Sequence, residues 1–226
     1  STDPALVRDL ERYARLDGLT LLRNDANLGF TRTVNRGLEH ARASRRDVVV
    51  LNSDTRTGVG WLEALAVAAH SDPRIATATA LSDSAGAFST PLVGANDTLT
   101  RVSLDQAART SRRAARVEVE RVPTGNGFCM YVRHEAIADV GLLDAERFPR
   151  GYGEENDFCL RATERGHRHV LALRSYVHHV NAVSFGESKA QRVRAAREVL
   201  DSIHPDYGDQ LRAAFDAPVE LRAQRD

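Results

Sequence analysis

Residues 47–55 read DVVVLNSDT, a short apolar run enclosed by polar residues on both sides. The three consecutive valines favour a strand, and a short run without polar alternation is typical of a strand buried on both faces. We therefore predict a central parallel strand over Asp47–Leu51. Apolar residues recur at helical spacing over Phe30–Ala43 and Trp61–Ala69, and a further apolar run lies at Ile75–Leu81. This alternation of helices and strands predicts an α/β fold with a parallel sheet.

The same patterns predict the elements in the rest of the chain. Asp3 and Pro4 indicate a helix that Gly18 ends, because the carboxylate can cap a free N–H and proline fits the first helical position. The other predicted elements are a strand at 19–22, a long loop at 82–100, a helix at 104–111, strands at 117–122 and 128–132, helices at 135–140 and from Gly151-Tyr152-Gly153 to Arg165, strands at 169–173 and 176–179, and helices at 187–203 and 206–215. We predict one domain over residues 1–204 and a helical tail over residues 205–226.

Charge and composition exclude several classes of protein. The 226 residues include 31 basic and 31 acidic ones, so the formal net charge is +0. A general nucleic-acid binder carries a basic surface, and we therefore predict no nucleic acid among the partners. No apolar run approaches the ~20 residues of a membrane span. Two cysteines, Cys129 and Cys159, are too few for a disulfide scaffold, and no signal peptide precedes them. We predict a soluble protein of the reducing cytoplasm.

The tripeptide Asn52-Ser53-Asp54 directly follows the predicted central strand. Ligands of open α/β sheets bind beyond the carboxyl ends of the strands, so a polar cluster is well placed there. One carboxylate is enough to hold Mg²⁺ against a diphosphate, because this ion completes its shell with phosphate oxygens and water. A helix cap or a turn uses the same residue types, and the tripeptide alone does not separate the two explanations.

A second cluster, Gly151-Tyr-Gly-Glu-Glu-Asn-Asp-Phe, sets Glu154, Glu155 and Asp157 in the first turn of a predicted helix. The helix dipole favours acids there, which is a purely structural explanation. Three acids in four positions nevertheless exceed what capping needs, and successive helical residues point about 100° apart. One acid can therefore be structural while another faces a cleft as a general base. The glycines let the backbone turn sharply and a sugar approach closely.

Three further patterns allow both a functional and an ordinary explanation. His178-His179 offers at most one metal ligand to a given site, since neighbours on a strand face opposite ways, and an ordinary core or surface histidine is the alternative. Gly125-Asn126-Gly127 precedes a predicted strand, and a simple turn also explains it. Asn27-Leu28-Gly29-Phe30 with Arg32 lies at a helix start, which suits either a phosphate or a plain helix cap.

Five stretches, taken together and in order, resemble one known family over most of the chain from Arg23 to Gly186. They are RNDANLGFTRTVNRGLEHA, DVVVLNSDT, PTGNGFCMYVRHEAIADVGLLD, FPRGYGEENDFCLRATERGHRHV and VHHVNAVSFG. The sequence resembles the family 2 glycosyltransferases, inverting enzymes with the GT-A fold that binds nucleotide-diphosphate sugars. The resemblance implies a central, mostly parallel sheet flanked by helices, with a small antiparallel element. It also implies transfer of a hexose or deoxyhexose from such a donor to a hydroxyl of a glycan, glycolipid or polysaccharide precursor.

The resemblance further implies a metal site. Asp54 corresponds to an acid of the family's DxD motif and would hold Mg²⁺ or Mn²⁺ under the diphosphate, while Asn52 replaces the first acid of that motif. His179 matches a late histidine that reaches the metal or the diphosphate in related enzymes. His178 is its substitute.

A catalytic set is implied in the same way. Glu155 falls where the family has its general base, usually an aspartate, and the neighbouring acids Glu154 and Asp157 belong to the same motif. Arg32 would add a charge for the phosphates. Contacts to donor or acceptor are expected from Asn27, Gly29, Arg32, Asn52, Ser53, Gly125, Asn126, Gly127 and Tyr152.

One departure from the family concerns the start of the sequence, which lacks the opening strand, helix and strand. We expect a longer protein or a partner, such as a second copy, to complete the sheet, since exposed edges pair with other chains. Arg192, Arg194 and Arg197 on a predicted helix are compatible with peripheral contact to an anionic membrane at its cytoplasmic face, and also with an ordinary solvated face.

Two other functions stay open at this point. A nucleotide-sugar or glycan-binding module without turnover is consistent with Asn52 and with the missing opening unit. A nucleotidyltransferase has a related fold, but it would need a phosphate loop rich in glycine and arginine near its start, and no such loop is visible.

Overall fold

The chain alternates helices and strands in a mixed α/β fold, and the structure, a computed structural model, describes residues 4–180 and 186–216. The helices are α1 (Pro4–Tyr13), α2 (Gly29–Ala43), α3 (Trp61–Ala69), α4 (Leu104–Ala114), α5 (His134–Val140), α6 (Glu154–Glu164), α7 (Gly186–Ile203) and α8 (Tyr207–Asp216). The strands are β1 (Val48–Leu51), β2 (Thr55–Thr57), β3 (Ile75–Leu81), β4 (Ser84–Gly86), β5 (Gly94–Ala95), β6 (Val119–Val122), β7 (Cys129–Val132) and β8 (Arg168–His179). The predicted helices are all present, although α1 ends before Gly18. Asp3, its predicted cap, lies outside the described residues.

The main sheet has the strand order β1-β7-β3-β8-β2, with β6 paired to β8. Among the described strands of this main sheet, only the pairing of β3 with β8 is parallel, and the other four pairings are antiparallel. The expectation of a mostly parallel sheet is corrected accordingly. β1 was expected at the centre of the sheet but lies at the edge of its described part, because β7 lies between it and β3. β1 is also only partly buried, and Leu51 is 40% exposed, so the apolar run indicated a strand but neither its burial nor its neighbours.

Two local predictions are wrong. Residues 19–22 form no strand, because no described strand lies beside them, and Leu19 and Leu22 are more than two-fifths exposed. The two strands predicted over 169–173 and 176–179 are one strand, β8. The ladder with β3 shifts register between Ala80 and Leu81, where β8 bulges, and this irregularity produces the break in the sequence pattern.

The predicted loop at 82–100 contains a hairpin of β4 and β5, which is the small antiparallel element. Its serine and asparagine side chains hold it together. Ser89 Oγ accepts the N–H of Ala85 at 2.8 Å and donates to the C=O of Gly94 at 2.6 Å. Asn96 Nδ2 donates to the C=O of Asp83 at 3.0 Å. Serine and asparagine, which are typical of loops, here supply hydrogen-bond partners for backbone N–H and C=O groups of the hairpin.

The core lies on both faces of the main sheet. Helices α3 and α4 cover one face, with Leu65 fully buried among their contacts. Helices α2, α5 and α6 cover the other face, where Leu38 and Ile137 pack around Phe158. A third apolar cluster joins Phe148 and Leu160 to Leu200 and Tyr207 of α7 and α8. This layering leaves the ends of the strands free to build a site.

Candidate active site

Four segments meet at one end of the sheet around a cavity of about 580 Å³. They are the turn after β1, the loop before β7, the start of α6 and the end of β8. The lining residues are Phe30, Asn52, Asp54, Ser84, Ala85, Gly86, Asn126, Gly127, Phe128, Arg150, Gly151, Tyr152, Glu154, Glu155, His179 and Arg192. Asp54 therefore shares one cavity with Glu155 and His179, which lie more than a hundred residues after it in the sequence.

Asp54 and His179 face each other where β2 pairs with β8. Thr55 lies opposite His179 in the ladder, and the N–H of Val180 donates to the C=O of Asp54 at 2.9 Å. The Nε2 atom of His179 lies 3.3 Å from Oδ1 of Asp54. The imidazole ring stacks on Phe128 with ring centroids 5.2 Å apart. Backbone register thus holds the two residues side by side, and stacking fixes the imidazole ring.

The hydrogen bonding of His179 determines what its ring offers to the cavity. Nδ1 lies 2.8 Å from the C=O of Ser84. A carbonyl only accepts, so Nδ1 carries a proton and Nε2 of the neutral ring carries a lone pair. That lone pair faces Oδ1 of Asp54, and two acceptor atoms so close repel unless a proton or a cation lies between them. One imidazole nitrogen and one carboxylate oxygen fit a divalent cation such as Mn²⁺.

His178, the substitute metal ligand of the sequence prediction, does not line the cavity. Its Nδ1 donates instead to Oδ2 of Asp83, whose side chain is 1% exposed. Alternation along the strand explains the outcome, since His179 faces the cavity and its neighbour must face the other way. The metal role of His178 is therefore wrong.

The loop before β7 is held in one shape by its own residues. A Cβ on Gly125 would lie 2.8 Å from both Met130 Sδ and Thr79 Oγ1, so no larger residue fits. The N–H of Asn126 donates to Thr79 Oγ1 at 3.1 Å, and Asn126 Oδ1 accepts the N–H of Phe128 at 3.1 Å. Gly125 thus lies behind the lining and lets Asn126 reach it, so the predicted contact of Gly125 with ligand is corrected to a packing role.

Glu154 and Glu155 begin α6, and burial raises the pKa of both carboxyl groups. Burial, with the charge of Glu155 added to it, raises the pKa of Glu154 to about 9. Burial also raises the pKa of Glu155, although backbone N–H groups, including those of Gly127 and Gly153, lower it in part. Both carboxyl groups therefore hold a proton more readily than an exposed glutamate does.

Both glutamates keep an oxygen without a partner. Oε2 of Glu154 and Oε2 of Glu155 are buried and accept no hydrogen bond from the described residues. Buried polar atoms without partners are rare in proteins. Since both side chains line the cavity, a hydroxyl of a bound ligand is able to supply the missing donor.

The turn into α6 has a left-handed backbone at three consecutive residues. The φ angles of Gly151, Tyr152 and Gly153 are 85°, 67° and 98°. A positive φ is unusual for a bulky side chain and marks a constrained position. A Cβ on Gly153 would lie 2.8 Å from Cε1 of Phe148, so the turn also depends on close packing. It directs the Tyr152 side chain into the cavity lining.

Asp157, predicted in the catalytic set, lies outside the cavity lining. Its buried carboxylate accepts from Arg161 Nε at 2.8 Å and from His204 Nε2 at 3.0 Å. Arg161 also donates to the backbone of the α5–α6 connection, at the C=O of Val140 and of Leu142. Asp157 therefore ties α6 to the end of α7 and has a structural position.

Four other predicted contact residues lie outside the lining as well. Oδ1 of Asn27 accepts the N–H of Gly29 at 3.0 Å, a local bond within the turn before α2. Arg32 is exposed and pairs with Glu146 at 3.2 Å, away from the predicted phosphates. Ser53 is exposed beside the cavity. Asn27 therefore stabilises the turn before α2, and no described side chain caps the start of this helix.

Several lining residues were not predicted from the sequence. They are Phe30, the hairpin residues Ser84–Gly86, Arg150 and Arg192. Arg150 directly precedes Gly151-Tyr152-Gly153, so its place in the sequence could have indicated that it lines the site. Arg192 and the hairpin reach the cavity only through the tertiary fold.

The three arginines of α7 do not share a face. Arg192 lines the cavity, Arg194 is exposed, and Arg197 lies over the ring of Tyr207 at 5.1 Å. The basic stripe expected against a membrane is therefore divided among three environments. No described helix is both long enough and apolar enough to span a bilayer.

Asp47, His134 and Glu135 form a second group of possible metal ligands, with ligand atoms within 4.8 Å of one another. The group precedes β1 and so lies at the end of that strand away from the cavity. The Asp47 carboxylate accepts the N–H of His134 at 2.8 Å, the hydroxyl of Tyr131 at 2.7 Å and a hydrogen bond from His70 at 2.8 Å. Protein donors thus already satisfy this carboxylate, which joins four elements of the fold.

Comparison with known families decides the classification. A sequence profile described as Glycosyltransferase like family 2 matches residues 2–198. The chain belongs to this family. The match confirms the family resemblance inferred from the five motifs. No curated protein matches the sequence.

The fold of this family 2 chain is similar to that of a solved structure. The chain is similar to the crystal structure of GalNAc-T7 with UDP, GalNAc and Mn2+, with a TM-score of 0.62 and 17% sequence identity. The match covers 100% of this chain and 46% of that chain. The likeness confirms the predicted GT-A fold. The chain thus spans less than half the length of the protein that it matches.

Proposed function

We propose that this family 2 chain transfers a sugar from a nucleotide-diphosphate donor to a hydroxyl acceptor, with inversion at the anomeric carbon. The observation that carries the proposal is one shared cavity, in which the carboxylate of Glu155 and the pair of Asp54 and His179 are both exposed to the same ligand space. Membership of the family supports glycosyl transfer from a nucleotide sugar.

Glu155 acts as the general base. As the acceptor oxygen forms its bond to the anomeric carbon, the bond from that carbon to the diphosphate breaks and the hydroxyl proton passes to Glu155. The raised pKa of Glu155 strengthens it as a base, and the raised pKa of Glu154 favours its neutral form, which limits the charge of the pair. A base so placed contributes about 10²–10⁴-fold in rate.

Asp54 and His179 hold a divalent cation, Mg²⁺ or Mn²⁺, because their facing acceptor atoms form a suitable donor set. When bound, such a cation neutralises charge on a departing diphosphate. Arg150 and Arg192 line the same cavity and take the phosphate role first expected of Arg32. The similar crystal structure, GalNAc-T7 with UDP, GalNAc and Mn2+, supports the choice of a divalent cation and a nucleoside diphosphate as the molecules bound here.

The acceptor and the setting are proposed from the family alone. We place the acceptor hydroxyl on a glycan, a glycolipid or a polysaccharide precursor, the sugar among hexoses and deoxyhexoses, and the reaction in the cytoplasm. Four predicted residues remain the proposed donor or acceptor contacts, since all of them line the cavity: Asn52, Asn126, Gly127 and Tyr152.

A donor panel tests the proposal. The full chain is incubated with Mn²⁺, simple glycoside acceptors and a set of nucleotide-diphosphate sugars, and the released nucleoside diphosphate is measured. Proton NMR of the product then gives its anomeric configuration. Release of diphosphate with an inverted product is expected, whereas a retained configuration contradicts the role of Glu155. Tight donor binding without release indicates a non-catalytic binding module.

Two matched variants test the base. Glu155→Gln keeps the shape of the side chain and should lower kcat by about 10²–10⁴-fold while donor binding stays unchanged. Glu164→Gln makes the same change on the same helix at a side chain that is 67% exposed, and should have no effect. Near-normal turnover of Glu155→Gln contradicts the assignment.

A further inference from the structure

Asp83 lies just after β3 and is one of the most deeply buried acids of the described chain, with 1% of its surface exposed. It does not line the cavity, and no motif predicted a role for it. A buried carboxylate is costly unless hydrogen-bond donors surround it. The groups that surround Asp83 therefore indicate what the fold uses it for.

The Asp83 carboxylate binds two consecutive residues of β8. Oδ2 accepts from Nδ1 of His178, and Oδ1 accepts the N–H of His179 at 3.1 Å. Ser82 Oγ donates to the same Oδ1 at 3.2 Å. Because neighbouring side chains of a strand face opposite ways, one carboxylate fixes both the backbone of His179 and the side chain next to it.

The same segment fixes the ring of His179. The C=O of Ser84, the residue after Asp83, accepts from Nδ1 of His179 at 2.8 Å. The C=O of Asp83 accepts two hydrogen bonds from Asn96, at 2.9 Å from its N–H and 3.0 Å from Nδ2. Asp83 and Ser84 are thus bonded to the β4–β5 hairpin through Asn96 and to the His179 ring through the C=O of Ser84. Outer hydrogen bonds of this kind set the tautomer and orientation of metal-binding histidines.

We propose that Asp83 is a positioning residue of the divalent-cation site, holding Nε2 of His179 toward Asp54 through His178 and through the backbone of His179. The inference rests on the proposed function, because the cation is the one proposed to bind Asp54 and His179 beside the nucleotide-sugar donor. It adds a residue outside the cavity on which the affinity for that cation depends.

Mn²⁺ binding to the full chain, followed by electron paramagnetic resonance, tests the role without an activity assay. Asp83→Asn removes one acceptor and should weaken Mn²⁺ binding about 10–100-fold. Ser82→Ala is the matched control, since it removes the hydroxyl that donates to the same oxygen and accepts the N–H of Ser84 but leaves both bonds from Asp83 to β8 in place, and it should bind as the wild type does. Wild-type affinity in a folded Asp83→Asn variant overturns the proposal.

A second pair of variants keeps the test decisive if Asp83→Asn fails to fold. His178→Asn places an amide N–H near the position of Nδ1 and should retain the affinity for Mn²⁺, whereas His178→Ala removes the donor and should weaken it. Equal affinities of these two variants overturn the proposal.

Nitrogen NMR of labelled histidine separates this inference from the proposed function. Without metal, His179 of the wild type should show the Nδ1–H tautomer, and Asp83→Asn should show mixed tautomers. An unchanged tautomer overturns the positioning role. A wild type that binds no Mn²⁺ contradicts the proposed metal site instead, and the tautomer spectra then decide on Asp83 alone.

Discussion

Asp157→Asn should lower stability and leave turnover per folded molecule unchanged. The Asp157 side chain is 3% exposed and accepts from Arg161 Nε at 2.8 Å and from His204 Nε2 at 3.0 Å. A hydrogen bond to a charged group contributes about 1.5–3 kcal/mol. The amide of asparagine keeps one accepting oxygen and turns an N–H₂ group toward the other donor, so about one such bond is lost. We expect a loss of about 2–3 kcal/mol in the free energy of unfolding.

Urea unfolding followed by circular dichroism measures this loss, and thermal unfolding should show a Tm lower by roughly 4–12 °C for a chain of this length. Asp201→Asn is the matched control, because Asp201 accepts from Arg197 Nε at 2.7 Å with the same helical spacing but is 49% exposed. An exposed pair contributes less than about 1 kcal/mol. Unchanged stability of Asp157→Asn together with lost turnover would refute the structural role.

Three further predictions concern acid stability, packing and phosphate binding. Burial raises the pKa of Asp47, but the hydrogen bonds that it accepts outweigh burial and hold its pKa at about 2, below the ordinary 3.8. The resulting stabilisation is complete above pH ~4 and is lost as the pH falls toward ~2. The free energy of unfolding in urea should therefore fall less between pH ~5 and pH ~3 for Asp47→Asn than for the wild type. Gly125→Ala should lower the free energy of unfolding by about 1–3 kcal/mol, because the added Cβ would lie 2.8 Å from two side-chain atoms. Gly37→Ala is the control: the position lies on an exposed helix face with nothing within 4 Å of the added Cβ, and this variant should be more stable by about 0.5–1 kcal/mol. Equal unfolding midpoints for the two variants would contradict the packing. Arg192→Ala should weaken binding of a nucleoside diphosphate about tenfold or more in calorimetry, and Arg32→Ala should not, so the reverse order would show that the wrong arginine was chosen.

The helices were predictable because each carries its own periodic signal. Trp61–Ala69 and the strand Ile75–Leu81 agree with the structure to the residue, since local apolar spacing specifies them. Pairing was not predictable. The run at Val48–Leu51 indicated a strand buried on both faces, yet the strand is only partly buried and the antiparallel β7 lies beside it. The apolar residues 19–22 have no strand beside them in the described chain.

The candidate site divides in the same way. Asp54, Glu155 and His179 stand in sequence motifs and were identified from them. Arg192 and Asp83 stand in none, because Arg192 reaches the cavity from a helix and Asp83 acts through two histidines of another strand. Contacts between distant segments leave no pattern in a single sequence.

The most direct measurement is a crystal structure of the full chain with Mn²⁺ and a nucleoside diphosphate. An anomalous peak is expected about 2.0–2.3 Å from both Oδ1 of Asp54 and Nε2 of His179, with the diphosphate beside it and Glu155 across the cavity. A peak found only at Asp47, His134 and Glu135, or a diphosphate bound outside the cavity, would contradict a single site shared by the metal, the donor and the base.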